Sequence, residues 1–254
     1  SSHDTREAAL SDRWPARLAG FRLEHYAAVA STQERARVLA GEGARRAVVI
    51  ADIQTGGRGR HGRQWQSPAG NLYASAVLRR DFPAAFTASF SLIAAVALVD
   101  AIERTLVPPP PLAVKWPNDV LLAGRKIAGL LLEATDDHVL VGLGLNVTAG
   151  PPEAATLAAV AEDVDVAALA ARWLAGLDEG ASDLEREGFA TWRKAWLARA
   201  AWLHEPVRVV LPDRVVTGRH RGIDGHGALR VETADGVETI FAGDVEQVRL
   251  GETI

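Results

Sequence analysis

Residues 56–63 read Gly-Gly-Arg-Gly-Arg-His-Gly-Arg, so three arginines and a histidine alternate with four glycines. Glycine lets a backbone come close to a ligand, and arginine presents a rigid fork of donors to phosphate or carboxylate. The pattern suits a flap that closes over an anion, or else a solvated loop in an arginine-rich chain. It is not a Walker loop, because G-x-x-x-x-G-K-[ST] is absent. Nor does it open a helix, since Gln64-Trp65-Gln66-Ser67-Pro68 follows. Fifty residues on lies Lys115-Trp116-Pro117-Asn118-Asp119-Val120-Leu121-Leu122-Ala123-Gly124-Arg125-Lys126-Ile127-Ala128-Gly129. Lysine is scarce: three stand among the 28 basic residues, and Lys115 and Lys126 are two of them. Compact ammonium groups of this kind stabilise phosphate and developing negative charge, or sit on a hairpin surface. Asn118 and Asp119 fit a nucleotide contact or plain turn chemistry. Gly142 and Gly144 interrupt an apolar strand, which marks a close approach or a bulge, and Asn146 ends it. Ser31 and Thr32 read as a helix cap, and Gln54 as a strand end or a polar contact. The seven histidines show no metal-ligand spacing.

The elements that must hold these residues are legible in outline. Residues 1–20 are polar and read as a frayed tail or short helix. A strand is expected at 21–29, a helix from the Ser31–Glu34 capping box to Gly41, and strands at 47–53 and 71–79. One long buried helix is expected over 84–106, then strands at 112–116, 119–122, 126–134 and 138–146. Helices follow at 164–180 and 182–203. From Pro206 the character changes to short β-rich runs at 207–211, 215–219, 229–233, 237–241 and 245–250, a small β-barrel of about fifty residues. Strands joined mostly by hairpins argue for an α+β class with a mixed, mostly antiparallel sheet and flanking helices rather than a Rossmann sheet. The expected division is a tail at 1–20, a main α+β part at 21–203 and a small β domain at 204–254.

Composition sets limits. Of 254 residues, 48% are hydrophobic and 24% charged, as in a globular protein, and the net charge of −4 argues against general nucleic-acid binding. There is no cysteine, hence no disulfide and no thiolate chemistry; a reducing, cytoplasmic setting is expected. No run approaches a membrane span and no signal pattern opens the chain.

Taken in order, Ser31-Thr32, Gln54-x-x-Gly57-Arg58-Gly59-Arg60-x-Gly62-Arg63, Trp65, Lys115-Trp116-Pro117-Asn118-Asp119, Arg125-Lys126-Ile127-Ala128-Gly129 and Gly142-x-Gly144-x-Asn146 resemble biotin–protein ligase. The match runs from about residue 21 to 150, and the trailing β domain fits too. The resemblance implies a class II synthetase-like, biotin/lipoate-ligase fold with an SH3-like C-terminal barrel. It implies that biotin and ATP form biotinyl-5′-adenylate, and that a lysine of a carboxylase's biotin carrier domain takes the acyl group. Ser31, Thr32, Gln33, Gln54, Gly57, Arg58, Gly59, Arg60, Lys126, Gly129 and Gly142 would contact biotin. Arg60, Arg63, Trp65, Lys115, Asn118, Asp119, Lys126 and Asn146 would hold the nucleotide. Lys126, Arg58 and Arg60 would act in catalysis, with Mg²⁺ arriving on ATP and no protein metal site. Only about 20 residues precede the catalytic part, so a ligase without the helix-turn-helix and repressor activity of some members is expected, acting on neither DNA nor membrane, as monomer or homodimer. A lipoate or octanoate ligase and an inactive biotin sensor are the alternatives.

Overall fold

The structure, a computed structural model, describes residues 14–248. The outer part of the expected tail and the end of the last expected strand lie outside these residues. Thirteen strands form two sheets. The larger contains β1 (Arg17–Leu18), β2 (Phe21–Val29), β3 (Arg46–Gln54), β4 (Leu72–Arg79), β5 (Leu112–Lys115), β6 (Asp119–Leu122), β7 (Arg125–Ala134) and β8 (His138–Leu145). Its order is β1-β2-β3-β4-β8-β7-β6-β5. Only β2–β3 is a parallel pair, because α1 (Thr32–Gly41) carries the chain back between them, a crossover that a hairpin cannot make.

Successive strand residues face opposite sides, and the two sides differ. Val48, Ile50, Leu72, Ala74, Ala76, Val141 and Leu143 face the main core. There α2 (Ser89–Thr105), α3 (Val166–Arg186) and α4 (Ala190–Leu197) cover the sheet. Ala47, Val49, Val77 and Leu140 face the other way, under Ala36, Leu39 and Ala40 of α1. The helix covers only the end of this face near Val77 and Leu140. Further along the same face the registered pairs are Ser75 with Gly142, Tyr73 with Gly144, Gly144 with Gly129, and Gly129 with Asp119. No helix covers this end; Gly129, Gly142 and Gly144 instead leave room for the side chains of Trp65 and Gln33, and this stretch is the floor of the site.

The edge strand β5 is shielded: Val114 N–H donates to Arg199 O, and Ala201 N–H donates to Val114 O. That answers the usual hazard of an open edge. The second sheet holds β9 (Pro206–Val210), β10 (Val215–Ile223), β11 (Leu229–Thr233), β12 (Gly236–Ile240) and β13 (Asp244–Gln247), all antiparallel. It is tied to the larger unit by Trp116 Nε1 donating to Gly227 O (2.9 Å) and Ser89 Oγ donating to His226 O (2.7 Å).

Several element boundaries differ from expectation. Residues 17–18 form a strand rather than a frayed or helical tail, and Trp14 belongs to the core. The 84–106 helix is a 3₁₀ turn at Ala84–Phe86 and a helix that starts only at Ser89. The helix α1 passes through Gly41, and its stop is Gly43 at φ 83°. The last helices break at Gly188 (φ 76°), whose N–H closes on Asp183 O, and not near residue 181; the second ends at Leu197, not 203. In each of these two helices the glycine with positive φ ends the helix, and spacing alone did not mark which glycine that is.

Candidate active site

A cavity of about 490 Å³ opens on this face of the larger sheet. Every site residue named from the sequence lines it except Gly57, which is buried beneath the loop. A Cβ at Gly57 would lie 2.6 Å from Ser67 Oγ and 2.7 Å from Trp65 O, so only glycine lets the loop fold back here.

One end of the cavity is neutral and already hydrogen-bonded. Gln54 Oε1 accepts from the N–H and the hydroxyl of Thr32 at 2.9 and 3.1 Å. Thr32 Oγ1 also meets Ser75 Oγ at 2.9 Å. Gln54 Nε2 donates to Ser67 Oγ (3.1 Å), which in turn donates to Trp65 O. Thr32 stands at the first position of α1, and Ser31 caps that helix by accepting from Glu34 N–H at 3.3 Å. Gln33 is different. Its side-chain oxygen and nitrogen are both buried without a protein partner. A Cβ at Gly142 would lie 2.8 Å from Gln33 Oε1. A buried amide with neither end satisfied is costly, unless a polar ligand completes it.

The other end is ionic. Asp119 (side chain 10% exposed) accepts from both lysines, at 2.8 Å from Lys126 Nζ and 3.4 Å from Lys115 Nζ. The short β5–β6 and β6–β7 hairpins bring these residues together, and an irregular register between Val120 and Leu121 re-aims the strand. The Trp65 indole lies on two glycines: a Cβ at Gly144 would be 2.4 Å from its ring and one at Gly129 3.0 Å. Lys126 Nζ sits 5.3 Å from the centre of that ring. Trp65 Nε1 is buried without a protein partner. Asn118 accepts from Arg60 (3.3 Å) and donates to Leu130 O; Asn146 donates to Ala155 O. Arg60 and Arg63 reach Asp244 of β13 at 3.2 and 2.8 Å. Burial pushes the Asp244 carboxyl up, but the charges of Arg60 and Arg63 and the hydrogen bond from Arg63 outweigh it and hold it below the usual carboxylate range. Arg58 stands apart on the rim, 67% exposed, 3.5 Å from Glu34.

The sequence reading missed Ser75, Ser67 and Asp244. Ser75 carried a signal, a serine in a run, Leu72–Leu78, that is otherwise apolar but for Tyr73. Asp244 carried none, being 181 residues from Arg63 along the chain.

A neutral pole next to a cationic one suits a ligand with a polar head and an acid group, joined at the acid to a phosphate. Residues 27–146 match the biotin/lipoate A/B protein ligase family, and residues 203–247 match the biotin protein ligase C-terminal domain. A biotin–[acetyl-CoA-carboxylase] ligase of Paracoccus denitrificans is 40% identical over 220 residues, 78% of this chain and 88% of that protein. The chain belongs to the biotin protein ligase family. Two structures of ligases in this family show what their cavities hold. The biotin protein ligase of Aquifex aeolicus in complex with biotin and ATP superposes with a TM-score of 0.78 at 29% identity, over 90% of this chain and 99% of that one. The ligase of Leishmania major in complex with biotinyl-5-AMP gives 0.62 at 26% identity, over 86% and 98%. The ligase fold, a large mostly antiparallel sheet with four helices and a small antiparallel sheet after it, is the one expected above.

Proposed function

We propose that this chain couples biotin to ATP as biotinyl-5′-adenylate with release of pyrophosphate, then passes the acyl group to a lysine of a carboxylase's biotin carrier domain. Among the observations, the pairing of a pre-bonded neutral pole with two lysines on one buried aspartate carries this reading. Thr32, Gln54 and Ser75 supply a fixed lattice of hydroxyl and amide groups, and the unfilled Gln33 amide faces the biotin head. Ser31 holds the helix start in place, and Gly129 and Gly142 leave room for the ligand.

Two anions must be brought together for adenylation: the biotin carboxylate and the α-phosphate. Lys126 stands where both would meet, and the transition state concentrates charge at that point. A positioned cation in a water-poor cavity stabilises such charge by several kcal/mol. Positioning contributes the rest, since no covalent help from a side chain is needed. Lys115 and Asp119 lie beside the phosphates, Asn118, Asn146 and Trp65 frame the nucleotide, and Arg60 and Arg63 face the triphosphate. Arg58, Gly57 and Gly59 belong to the strap that crosses biotin, and Arg58 retains the adenylate. In the second step the acceptor amine attacks the acyl carbon, the acyl–phosphate bond breaks, and AMP leaves with the electron pair.

Among the described residues no group of three or more His, Cys, Asp or Glu is placed to hold a metal. Asp119 and Asp244 already face cations. That donor set fits Mg²⁺ brought on ATP, where it neutralises phosphate charge, rather than an ion caged by the protein. A cytoplasmic setting, where ATP is supplied, agrees with this reading. No helix among the described residues is long and apolar enough to cross a membrane.

The test is pyrophosphate release from ATP and Mg²⁺ with biotin in one tube and lipoate in another. Biotin-dependent release is expected. Release with lipoate alone overturns the substrate, and silence with both, alongside biotin binding by calorimetry, overturns the activity.

A further inference from the structure

The arginine loop is held from outside its own unit. Its internal hydrogen bonds are local: Gly59 N–H to Arg63 O, Arg63 N–H to Arg60 O and Trp65 N–H to Gly57 O. They shape the loop without fixing where its long side chains point. For Arg60 and Arg63 the small sheet does that, beside Asn118, whose Oδ1 also accepts from Arg60. Gly243 O accepts from both terminal nitrogens of Arg60 at 3.4 and 3.3 Å. The next residue divides its carboxylate, with Oδ1 taking Arg60 and Oδ2 taking Arg63. Arg63 is 72% exposed, and this ion pair is what draws it to the cavity wall.

We propose that Asp244 is a positioning residue for adenylation: from the start of β13 it sets Arg60 and Arg63 for the phosphates of ATP. The inference rests on the reading above in which those two arginines face the triphosphate. A flexible arginine gives up side-chain freedom when it is fixed, and fixing it before ATP arrives removes that loss from binding. Arginine has five donors, and Arg63 commits a single nitrogen to Asp244, so the fork stays open to phosphate. Asp244 is not needed to dock the small sheet. Trp116, Ser89 and Arg193 make that attachment through Gly227 O, His226 O and Ile223 O.

The experiment compares Asp244→Ala, Asp244→Asn and Asp244→Glu in the full chain by steady-state pyrophosphate release, with ATP and biotin varied in turn. Asp244→Ala is expected to raise KM for ATP about tenfold, the scale of one lost charge-assisted hydrogen bond. KM for biotin should stay within about twofold and the melting temperature should hold. Asp244→Glu should recover most of the ATP affinity and Asp244→Asn should not. Adding Asp244→Ala to Arg63→Ala should cost less than it does in the parent chain, because the Arg63 contact is already gone and only the contact to Arg60 remains to be lost. An unchanged or lowered KM for ATP in Asp244→Ala overturns the proposal. So does a joint rise of both KM values with a fall in melting temperature, which marks a merely structural role. If Arg60→Ala and Arg63→Ala leave KM for ATP untouched, the arginine assignment itself falls, separately from Asp244.

Discussion

At the neutral end of the cavity Ser75, Thr32 and Gln54, on β4, the start of α1 and the end of β3, hydrogen-bond one another, and Gln54 reaches Ser67 in the segment before Pro68. At the ionic end Lys115 and Lys126 lean on Asp119, while Arg60 and Arg63 lean on Asp244 across from another sheet. The first end is rigid through short side chains on regular elements. The second is assembled from a loop, a hairpin and a distant strand, and its cations are kept apart by carboxylates. The difference follows from the ligands proposed for each. A neutral polar head is selected by fixed geometry, since an unmatched buried amide or hydroxyl loses about 1–3 kcal/mol. Phosphates are held by charge, which tolerates looser placement but responds to ionic strength.

The largest effect expected is at the junction of the two ends. Lys126→Ala should slow adenylate formation by on the order of 100-fold or more, read in a single turnover at saturating biotin and ATP. A near-normal rate would remove Lys126 from the chemistry.

Next comes Trp65, whose indole rests on Gly144. A methyl group there would sit 2.4 Å from the ring, so Gly144→Ala must push the indole aside. If the indole supports the adenine, KM for ATP rises about tenfold, near the low end of aromatic–base stacking, and biotin affinity measured by calorimetry holds. A loss confined to biotin would reverse the assignment of the two ends.

Thr32→Val keeps the shape of the side chain and deletes its hydroxyl. Gln54 Oε1 then loses one donor and Ser75 its partner. Biotin affinity should fall about five- to tenfold with ATP kinetics unchanged. Raising salt from 0.1 to 1 M should do the reverse and weaken ATP, because exposed Arg63 is screened.

The smallest effect lies in the second sheet. His220 of β10 is 2% exposed, and its Nδ1 accepts from Gly222 N–H at 2.8 Å. Burial, with a smaller push from His204, lowers its pKa from 6.5 to about 4. The unfolded chain therefore takes up this proton at a higher pH than the folded one. The stability is intact above pH 6.5 and is lost as pH falls toward 4. By pH 5.5 the loss is about 1 kcal/mol, or roughly 2–4 °C in melting temperature. His220→Gln should flatten that slope; an equal slope in the variant would assign it to other groups.

Apart from β1, the strands of the larger sheet were legible because their alternation and turn residues are local. The glycine windows and both lysines were legible because their types stand out from their neighbours, with glycine in an apolar strand and lysine in a chain of arginines. What escaped is non-local. Asp244 meets Arg63 only after the second sheet docks, and no pattern near residue 244 announces it. The stop of α1 escaped for another reason. Gly41 and Gly43 look alike in the sequence, and only the backbone shows which one takes positive φ. The parallel pairing of β2 with β3 likewise depends on a crossover that strand signals do not encode.

The most direct test of the division crosses two variants with two ligands. Biotin affinity by calorimetry and KM for ATP by pyrophosphate release are measured for Thr32→Val and Arg63→Ala. The account predicts that Thr32→Val weakens biotin alone and that Arg63→Ala weakens ATP alone. Equal losses of both ligands in both variants would contradict it and leave a single undivided site.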